Sequence, residues 1–532
     1  MAHPQIRRAG PPRRKTITVS GLRTALSTLV PAGHPPIEHH VLSGSHGTPW
    51  GEFTMDPNHL FIGGRWVHTS SDRFIDVASA STGDHLGTVP DGSPDDIDRA
   101  VGAARAAFDA PAGWSSWGPE HRAAAMIHLA DALEARKGAT SAAVSAQNGM
   151  PITVARSFEG VVPSALLRYY AGLADGMTSE ELRTGLPRGT TLVRREPVGV
   201  VAAIMTWNFP QTIAFFKVAP ALAAGCALVL KPAPETVLDS VLLAEAVEEA
   251  GIPDGVINIV PGGRDTGAYL VSHPDIDKVS FTGSTRAGRQ VAAACAELLR
   301  PVTLELGGKS AAVVLDDADL SANAEQFFMA SLLNNGQTCY ASTRILAPRS
   351  RYLEVVEFCT AMARAAVVGD ALDPDAQIGP LVSQRQRERV LGYIKTGLNE
   401  GAQLTTGGRR PPGPDRGWFV EPTVFTDVEN SSTIAQEEIF GPVLTITPYD
   451  GEDEAVRLAN ESAYGLAGTV WTTDLDHGAQ VARRLRTGTV GLNGYLPDLT
   501  SPYGGRKASG LGTELGPEGL HAYQQLQSIY HP

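Results

Sequence analysis

The chain has 532 residues, of which 42% are hydrophobic and 19% charged, and its formal net charge is −13 at pH 7. At about 100–200 residues per domain, this length predicts two to four domains. The negative balance disfavours nucleic-acid binding, because neutralising phosphates takes an excess of Lys and Arg. The longest apolar stretch, Val218 to Leu230, contains Pro220 and is too short to cross a bilayer. We therefore expect neither a nucleic-acid nor a membrane partner.

Cysteines are few in this chain. Cys226, Cys295, Cys339 and Cys359 are scattered along it and show no C-x-x-C spacing. This pattern argues against a disulfide framework and against a zinc site, since both need cysteines at defined spacings. We expect free thiols, no bound metal and a cytoplasmic location.

The first 54 residues differ in character from the rest. They hold six Lys and Arg against two acidic residues and show no sustained apolar period. Such a segment fits a mitochondrial transit peptide, a twin-arginine export signal, or a disordered or mis-assigned extension that precedes the true start at Met55. We favour the extension, because a globular pattern begins directly afterwards, with a hairpin expected around Gly63 and Gly64.

Helical and strand patterns follow in chain order. Apolar residues at helical spacing predict helices from Asp95 to Phe108 and from Glu120 to Arg136. Past residue 197, short apolar runs alternate with amphipathic segments, which indicates a parallel sheet covered on both faces. The predicted strands run from Val198 to Met205, Cys226 to Leu230, Val256 to Val260, Lys278 to Phe281, Val302 to Leu306 and Ala311 to Leu315, with helices from Val237 to Ala250 and Arg286 to Leu299. A second alternating series extends to about Gly488.

This alternation of predicted strands and helices indicates two doubly wound α/β domains. We assign 55–180 and 198–307 to the first and 308–490 to the second. The remaining segments, 181–197 and 491–532, include alternating β-branched and charged residues, as in Arg188 to Glu196. That alternation suits an exposed ribbon that pairs with another subunit.

Cys339 is the cysteine whose surroundings suggest chemistry. It follows the polar, glycine-containing segment Asn335 to Thr338, whereas the other three cysteines fall in apolar strands or helices. A lone cysteine is more often a small buried hydrophobe than a nucleophile. Its place in a loop on an α/β scaffold makes the two interpretations of Cys339 about equal.

Glu305 interrupts an apolar predicted strand and is followed by Gly307 and Gly308. One interpretation is an edge strand with Glu305 facing solvent. The other is a desolvated general base, because burial raises the pKa of a carboxyl toward neutrality. The two glycines would let the backbone approach a ligand closely.

Other polar residues stand at the carboxyl ends of predicted parallel strands, where open α/β sheets bind ligands. Trp207 and Asn208 follow one strand and Lys231 follows another. Gly283 and Ser284 open a helix whose N-terminus suits a phosphate, although no G-x-G-x-x-G motif is present. Each of these residues is equally compatible with an ordinary turn, strand end or helix cap.

Taken together and in order, these motifs resemble the aldehyde dehydrogenase superfamily. The likeness runs from about Leu60 to the C-terminus. The matching motifs are Asn208-Phe209-Pro210, Lys231-Pro232, Phe281-Thr282-Gly283-Ser284, Leu304-Glu305-Leu306-Gly307-Gly308-Lys309, Gly336-Gln337-x-Cys339, Glu438-Ile439-Phe440-Gly441-Pro442 and Pro502-Tyr503-Gly504-Gly505-Arg506-Lys507-x-Ser509-Gly510.

The resemblance implies a fold, an assembly and a set of roles. The fold is an aldehyde dehydrogenase-like α/β fold with a Rossmann-like cofactor domain, a catalytic thiol domain and a β oligomerisation ribbon, in a homodimer or homotetramer. Cys339 corresponds to the nucleophile, Asn208 to the oxyanion-binding amide and Glu305 to the base that activates water. The positions that match cofactor contacts are Trp207, Lys231, Gly283, Ser284, Glu438 and Phe440.

The cofactor and the substrate are less closely defined. Pro234 stands where many NAD-preferring relatives carry a Glu that binds the ribose, and Glu235 could substitute by a loop shift. We therefore expect NAD, with NADP as an alternative. The residues expected to line the substrate tunnel are Phe209, Ile213, Phe216, Thr338, Tyr340 and Leu496. This apolar wall favours aliphatic or aromatic aldehydes over semialdehydes, with Arg506 as the single basic side chain that argues otherwise.

Three functions compete under this resemblance. The first is hydrolytic oxidation of an aldehyde to the acid, through a thiohemiacetal and a thioester on Cys339. The second is a CoA-acylating relative, which the presence of Glu305 disfavours because such enzymes commonly lack the hydrolytic Glu. A non-catalytic family member is the third, and the joint presence of Cys339, Glu305 and Asn208 argues against it.

Overall fold

The computed structural model describes residues 58–532 apart from positions 178, 187 and 414. The N-terminal segment 1–54 lies outside the described residues, so the three interpretations of it stay predictions. The described part forms four β-sheets surrounded by α-helices. None of its helices has the length and apolarity needed to cross a membrane.

Twenty strands make up the sheets. They are β1 His59–Ile62, β2 Arg65–His68, β3 Phe74–Ala78, β4 His85–Pro90, β5 Glu180–Thr184, β6 Thr190–Pro197, β7 Val200–Ile204, β8 Ala227–Lys231, β9 Ile257–Ile259, β10 Lys278–Thr282, β11 Val302–Glu305, β12 Ala311–Val314, β13 Arg344–Pro348, β14 Gln403–Thr406, β15 Thr423–Thr426, β16 Val443–Tyr449, β17 Gly468–Trp471, β18 Gly491–Leu492, β19 Gly510–Leu511 and β20 Gln524–His531. The expected hairpin is β1–β2, and Gly63 and Gly64 at its turn both have positive φ.

Fifteen α-helices connect or cover the strands in the described residues. They are α1 Pro94–Asp109, α2 Pro119–Asn148, α3 Ile152–Ser157, α4 Val162–Asp175, α5 Pro210–Ala224, α6 Asp239–Glu249, α7 Arg264–Ser272, α8 Thr285–Glu297, α9 Ala324–Leu332, α10 Tyr352–Ala365, α11 Gln384–Asn399, α12 Thr433–Gln436, α13 Glu452–Asn460, α14 Leu475–Arg483 and α15 Gly516–His521. Helix α2 runs beyond its predicted end at Arg136 because small residues continue its buried face, and it stops at Gly149, whose φ is +84°.

The first sheet has the strand order β19-β11-β10-β7-β8-β9-β1-β2. Its five central strands are parallel, and the chain reverses its direction of winding between β7 and β10. The carboxyl edge of this sheet brings Ile204, Lys231, Thr282 and Glu305 into neighbouring register positions. Open α/β sheets bind ligands at such a switch point. The topology therefore places the polar residues noted above along one crevice.

The second sheet has the order β14-β15-β16-β13-β12-β17-β18, and all its neighbouring pairs except β14–β15 are parallel. Two doubly wound α/β units result, which confirms the predicted fold class. The first sheet draws its strands from 59–305 and 510–511, and the second draws them from 311–492. We keep the division into 55–180 with 198–307, and 308–490, as a proposal that these two sheets support.

A three-stranded antiparallel sheet stands apart from both, in the order β20-β6-β5. Its strands come from 180–184 and 190–197, within or beside the predicted segment 181–197, and from 524–531, at the end of 491–532. Leu182, Leu526 and Tyr530 of this sheet are exposed. Exposed apolar residues on a small three-stranded sheet are typical of a surface that another chain covers.

Helix α5 positions the site from within the core. All of its residues are buried, from Pro210 to Ala224, as in helices that are covered on every side. It starts directly after Asn208 and Phe209, and its N-terminal N–H groups at Gln211 and Thr212 donate to the buried Glu159 carboxylate. The segment that follows β7 is thereby fixed between a strand and a buried helix.

Candidate active site

Two cavities meet at one point of the molecule. The larger, of about 920 Å³, lies at the switch point of the first sheet, and the smaller, of about 370 Å³, is lined by residues of α5 and by the segment around Leu496. Thr282, Glu305, Leu306 and Cys339 line both cavities. A molecule in one cavity therefore meets a molecule in the other at a thiol and a carboxyl group.

The loop before Cys339 is held in an unusual backbone shape. Asn334 and Asn335 have φ of 51° and 62°, in the left-handed region that non-glycine residues rarely adopt. The Asn335 side-chain amide donates to the Gly149 and Pro380 carbonyls at 2.8 Å, and that of Asn334 donates to the Asn208 carbonyl at 2.8 Å. These bonds compensate the backbone strain and tie the thiol loop to the segment that follows β7.

Cys339 is the cysteine that lines the cavities. Its Sγ lies 3.5 Å from the Tyr503 hydroxyl. Burial raises the pKa of the Cys339 thiol to about 12; the hydrogen bond with Tyr503 opposes this rise, and the Glu438 and Glu305 carboxyls add to it. Cys226, Cys295 and Cys359 are buried outside both cavities. The thiol of Cys339 is thus the one in the described part of the chain that meets a bound molecule.

Glu305 ends β11 and is 4% exposed. Because β11 is flanked by β10 and β19, the solvent-facing edge-strand interpretation is wrong. Neither carboxyl oxygen of Glu305 has a hydrogen-bond partner among the described residues. Burial and the neighbouring Glu514 raise the pKa of Glu305 well above its ordinary value, while Lys217 acts in the opposite direction. An unpartnered carboxyl group with a raised pKa has the properties of a general base.

Sequence reasoning missed the buried ion pair beside Glu305. Lys217 Nζ lies 2.6 Å from Glu514 Oε1, with both side chains almost fully buried, and also donates to Thr282 Oγ1 at 2.7 Å. The one signal was Lys217 itself, a single charge within an otherwise uncharged run that folds as α5. Glu514 gave no comparable signal, because its contact with α5 spans nearly 300 residues.

Asn208 follows the carboxyl end of β7 and is buried. One N–H of its side-chain amide donates to the Gln337 carbonyl at 3.0 Å. A primary amide has two N–H groups, so the second remains for an oxygen atom of a bound molecule. The structure therefore ties a hydrogen-bond donor, the Asn208 amide, to the loop that carries the thiol.

The larger cavity collects the residues predicted to bind a cofactor. Trp207, Lys231, Gly283, Ser284, Glu438 and Phe440 all line it. Lys231 Nζ donates to the Pro232 and Gly262 carbonyls at 2.8 and 2.6 Å, and burial lowers its pKa to about 8. Ser284 caps α8 by accepting from the Ala287 N–H.

Glu438 and Phe440 line this cavity together with Trp207. Glu438 accepts from the Gly308 N–H at 2.9 Å, and burial raises its pKa to about 7. A Cβ at Gly307 would collide with the Glu438 carboxyl, so only glycine leaves this carboxyl in place. The Phe440 ring meets Trp207 edge to face with ring centroids 5.2 Å apart.

These residues fit a dinucleotide. Lys231 and Glu438 are suited to ribose hydroxyls and the N-terminus of α8 to a phosphate, and all of them line one crevice of about 920 Å³. Glu235 is not brought to the wall: its carboxylate pairs with Arg385 at 3.1 Å, and Pro234 lines the crevice instead. The loop shift suggested for Glu235 is thus not seen.

The smaller cavity is the apolar one. All six residues expected in the substrate tunnel line it: Phe209, Ile213, Phe216, Thr338, Tyr340 and Leu496. Further wall residues that the sequence did not reveal are Phe158, Val162, Met329, Leu499 and Tyr503. The charged residues on its wall are Glu305 and Glu514, and Arg506 is not part of that wall.

The fold and the site define a dinucleotide-dependent oxidoreductase that works through a thiol. The chain matches the Aldehyde dehydrogenase family over residues 66–529. It is 56% identical to a geranial dehydrogenase of Castellaniella defragrans over 90% of this chain and 99% of the relative. A Mycobacterium tuberculosis aldehyde dehydrogenase complexed with NAD+ is 50% identical and superposes with a TM-score of 0.87, over 89% of this chain and 98% of that one.

A third relative carries a bound aldehyde. It is an aldehyde dehydrogenase C mutant from Pseudomonas syringae in complex with NAD+ and octanal, 40% identical with a TM-score of 0.86, over 89% of this chain and 96% of that one. The chain therefore belongs to the aldehyde dehydrogenase family. Its activity is the oxidation of an aldehyde, and the predicted class of enzyme and the predicted cofactor, NAD, are confirmed.

Proposed function

We propose that this enzyme oxidises apolar, medium-chain aldehydes to carboxylic acids with NAD+, and that an acyclic unsaturated aldehyde of the geranial type is its substrate. The observation that carries the proposal is the 370 Å³ cavity, whose wall is mainly apolar. A volume of this size lies at the small end of ligand sites. The geranial dehydrogenase and the octanal complex among the relatives support the same class of substrate.

A semialdehyde is disfavoured by the charges on this wall. Glu305 and Glu514 are its ionisable acids, and neither Lys nor Arg lines the cavity in the described part of the chain. A substrate carboxylate would meet no cation on that wall, since the one ammonium group beside it, that of Lys217, is already paired with Glu514. Burying an unpaired charge in an apolar cavity is costly, so the terminal carboxylate of a semialdehyde has no favourable position.

The site residues divide the reaction between them. The Cys339 thiolate attacks the aldehyde carbon, and the carbonyl oxygen takes up the electron pair. The free amide N–H of Asn208 donates to this oxygen and stabilises the charge that develops on it. NAD+, when bound, supplies the acceptor for the hydride that the adduct loses as it becomes a thioester.

Glu305 completes the turnover. Its carboxylate takes a proton from water, the oxygen bonds to the thioester carbon, and the carbon–sulfur bond breaks to release the acid and Cys339. The raised pKa of Glu305 suits this step, because a base with a higher pKa binds the proton of water more strongly. The presence of this base supports hydrolysis over transfer to CoA.

Three further properties are proposals. The Lys231 and Glu438 side chains would hold the ribose hydroxyls of NAD+, with NADP+ as a weaker alternative. A homodimer or homotetramer would form through the β20-β6-β5 sheet, whose exposed apolar side chains support this assembly. The free cysteines of the described chain favour a reducing compartment, the cytoplasm.

The experiment is a cofactor-reduction assay with purified protein. NAD+ or NADP+ is offered with geranial, octanal, benzaldehyde or succinic semialdehyde, and Cys339→Ala serves as the control. Fast reduction with geranial and octanal, slow reduction with the semialdehyde and none with Cys339→Ala is the expected pattern. Succinic semialdehyde as the best substrate would refute the proposed substrate class, and activity in Cys339→Ala would refute the proposed nucleophile.

The same reaction distinguishes the hydrolytic mechanism from the CoA-acylating alternative. CoA is added and the product is analysed by mass spectrometry. Free acid in the presence and absence of CoA is expected, whereas an acyl-CoA product would contradict the hydrolytic mechanism.

A further inference from the structure

Tyr503 is held rigidly at the wall of the substrate cavity. Its backbone N–H and carbonyl exchange hydrogen bonds with those of Glu514, both at 2.7 Å. The side chain is 6% exposed, and its ring meets Phe216 edge to face with centroids 6.3 Å apart. Because backbone and ring are both fixed, the position of the hydroxyl is determined by the fold.

The hydroxyl of Tyr503 is directed at the thiol. Its oxygen lies 3.5 Å from Cys339 Sγ, and no second hydrogen-bond partner for it exists among the described residues. In the thiol form either atom can donate. In the thiolate form the sulfur has no proton, so the phenol must be the donor.

The other groups around the sulfur act against the thiolate. Glu305 at the end of β11 and Glu438 near the cofactor crevice are carboxyl groups that disfavour a second negative charge, and burial does the same. The Tyr503 hydroxyl and the N–H of Tyr340 act in the opposite direction. Tyr495, another neighbouring phenol, bonds instead with Thr489 Oγ1 at 2.6 Å. Since the thiolate is the reactive form of cysteine, the Tyr503 hydroxyl has a chemical function to serve.

We propose that Tyr503 is a further catalytic residue, whose hydroxyl donates a hydrogen bond to the Cys339 thiolate and stabilises it for attack on the aldehyde. This role rests on Cys339 being the nucleophile of the proposed function. The proton of the thiol passes to water in the cavity. Tyr503 keeps its own proton throughout, because burial and the neighbouring Cys339 raise the pKa of Tyr503 well above its usual value. When the sulfur bonds to the aldehyde carbon, its negative charge passes to the carbonyl oxygen and the hydrogen bond from Tyr503 weakens.

The test removes one oxygen atom. Tyr503→Phe keeps the ring that packs on Phe216 and deletes the hydroxyl. Tyr495→Phe is the matched control, since it deletes a neighbouring buried hydroxyl whose partner is Thr489. For each variant, the rate of Cys339 alkylation is measured with iodoacetamide and with the smaller reagent methyl methanethiosulfonate, in the absence of cofactor. Thermal denaturation and NAD+ binding report whether the fold is kept.

Loss of the hydrogen bond raises the pKa of Cys339 by about one unit, which reduces the thiolate fraction about tenfold. The more basic thiolate is also the better nucleophile, so we expect the net alkylation rate to fall about threefold. Tyr503→Phe is expected to show this loss with both reagents, to lose kcat/KM in aldehyde oxidation to a similar extent and to keep KM. Tyr495→Phe is expected to match the parent enzyme.

Two outcomes would overturn the role of Tyr503. One is an alkylation rate equal to that of the parent with both reagents. The other is a change seen only with the larger reagent, or only in KM, which would make Tyr503 a wall residue. Failure of the proposed function looks different, because Cys339→Ala would then retain aldehyde oxidation whatever the behaviour of Tyr503→Phe.

Discussion

Replacing Glu514 by Gln tests how the protein sets the basicity of Glu305. Glu514 lies 2.6 Å from Lys217 and is the acidic neighbour that acts on Glu305. Glutamine keeps the size of the side chain and an oxygen that accepts from Lys217, while the negative charge is lost. Lys217 keeps its bond to Thr282, so its ammonium group is not left without partners.

The direction of the effect follows from the signs of the charges. Burial is the largest cause of the raised pKa of Glu305, and the negative charge of Glu514 is the second. Lys217 acts in the opposite direction. In Glu514→Gln one of the raising contributions disappears and the Lys217 charge is no longer neutralised, so the pKa of Glu305 must fall. We expect a fall of about one unit, which corresponds to about 1.4 kcal/mol. Breaking a buried ion pair also costs about 3–5 kcal/mol of stability, so the variant should denature at a lower temperature.

The assay isolates the step that uses Glu305. An activated ester such as 4-nitrophenyl acetate acylates the thiol without cofactor, and its steady-state hydrolysis then depends on deacylation. The acid limb of the rate between about pH 5 and pH 9 reports the base, and in Glu514→Gln it should move to lower pH by about one unit. Asp450→Asn, in the exposed pair with Arg349, is the control and should leave the limb in place. A folded Glu514→Gln enzyme with the acid limb of the parent would refute the reasoning.

Three other variants test separate parts of the site and the assembly. Asn208→Ala removes the amide N–H meant for the developing oxyanion, so kcat should fall about 100- to 1,000-fold with NAD+ binding unchanged; a fall below about tenfold would contradict that role. Pro234→Glu places a carboxylate on the cofactor crevice, and we expect the NADP+ to NAD+ ratio of kcat/KM to fall about tenfold, since the like charge repels a 2′-phosphate. Leu526→Asp combined with Tyr530→Asp charges the exposed face of β20 and should shift the mass measured by light scattering after gel filtration from an oligomer to a smaller species; a parent enzyme that is already monomeric would exclude the ribbon interface.

The sequence predicted well those features that depend on neighbours along the chain. The apolar runs ending at Met205 and Leu230 fold as strands within one or two residues of their predicted bounds, because each run is short, buried and followed by a turn. The residues directly after those strands reach the crevice for the same reason. Parallel strands end at one edge of their sheet, so their successors are brought together by topology alone.

Features that depend on distant segments could not be predicted. Phe158 and Met329 join the substrate wall from separate helical regions, and the Glu514 contact with Lys217 spans nearly 300 residues. Their neighbours are set by how layers pack, which no local pattern encodes. The position of the Glu235 side chain could not be predicted for a similar reason. Its contact with Arg385 spans 150 residues and joins the part of the chain that forms the first sheet to the part that forms the second.

Glu305 shows why such distant contacts matter for the reaction. A buried polar group without partners costs about 1–3 kcal/mol, and more when it is charged, so a carboxyl group with two unpartnered oxygens is expensive to keep. A hydrogen-bond donor placed on Glu305 would remove that cost, but it would also lower the pKa of the carboxyl and occupy the oxygen that must take the proton of water. The structure instead places a compensated ion pair, Lys217 with Glu514, beside the carboxyl group and leaves its oxygens free. The Glu305 oxygens therefore stay free to take the proton of water and the carboxylate stays basic. The free-energy cost of burying this carboxyl group is offset by the packing of the surrounding core.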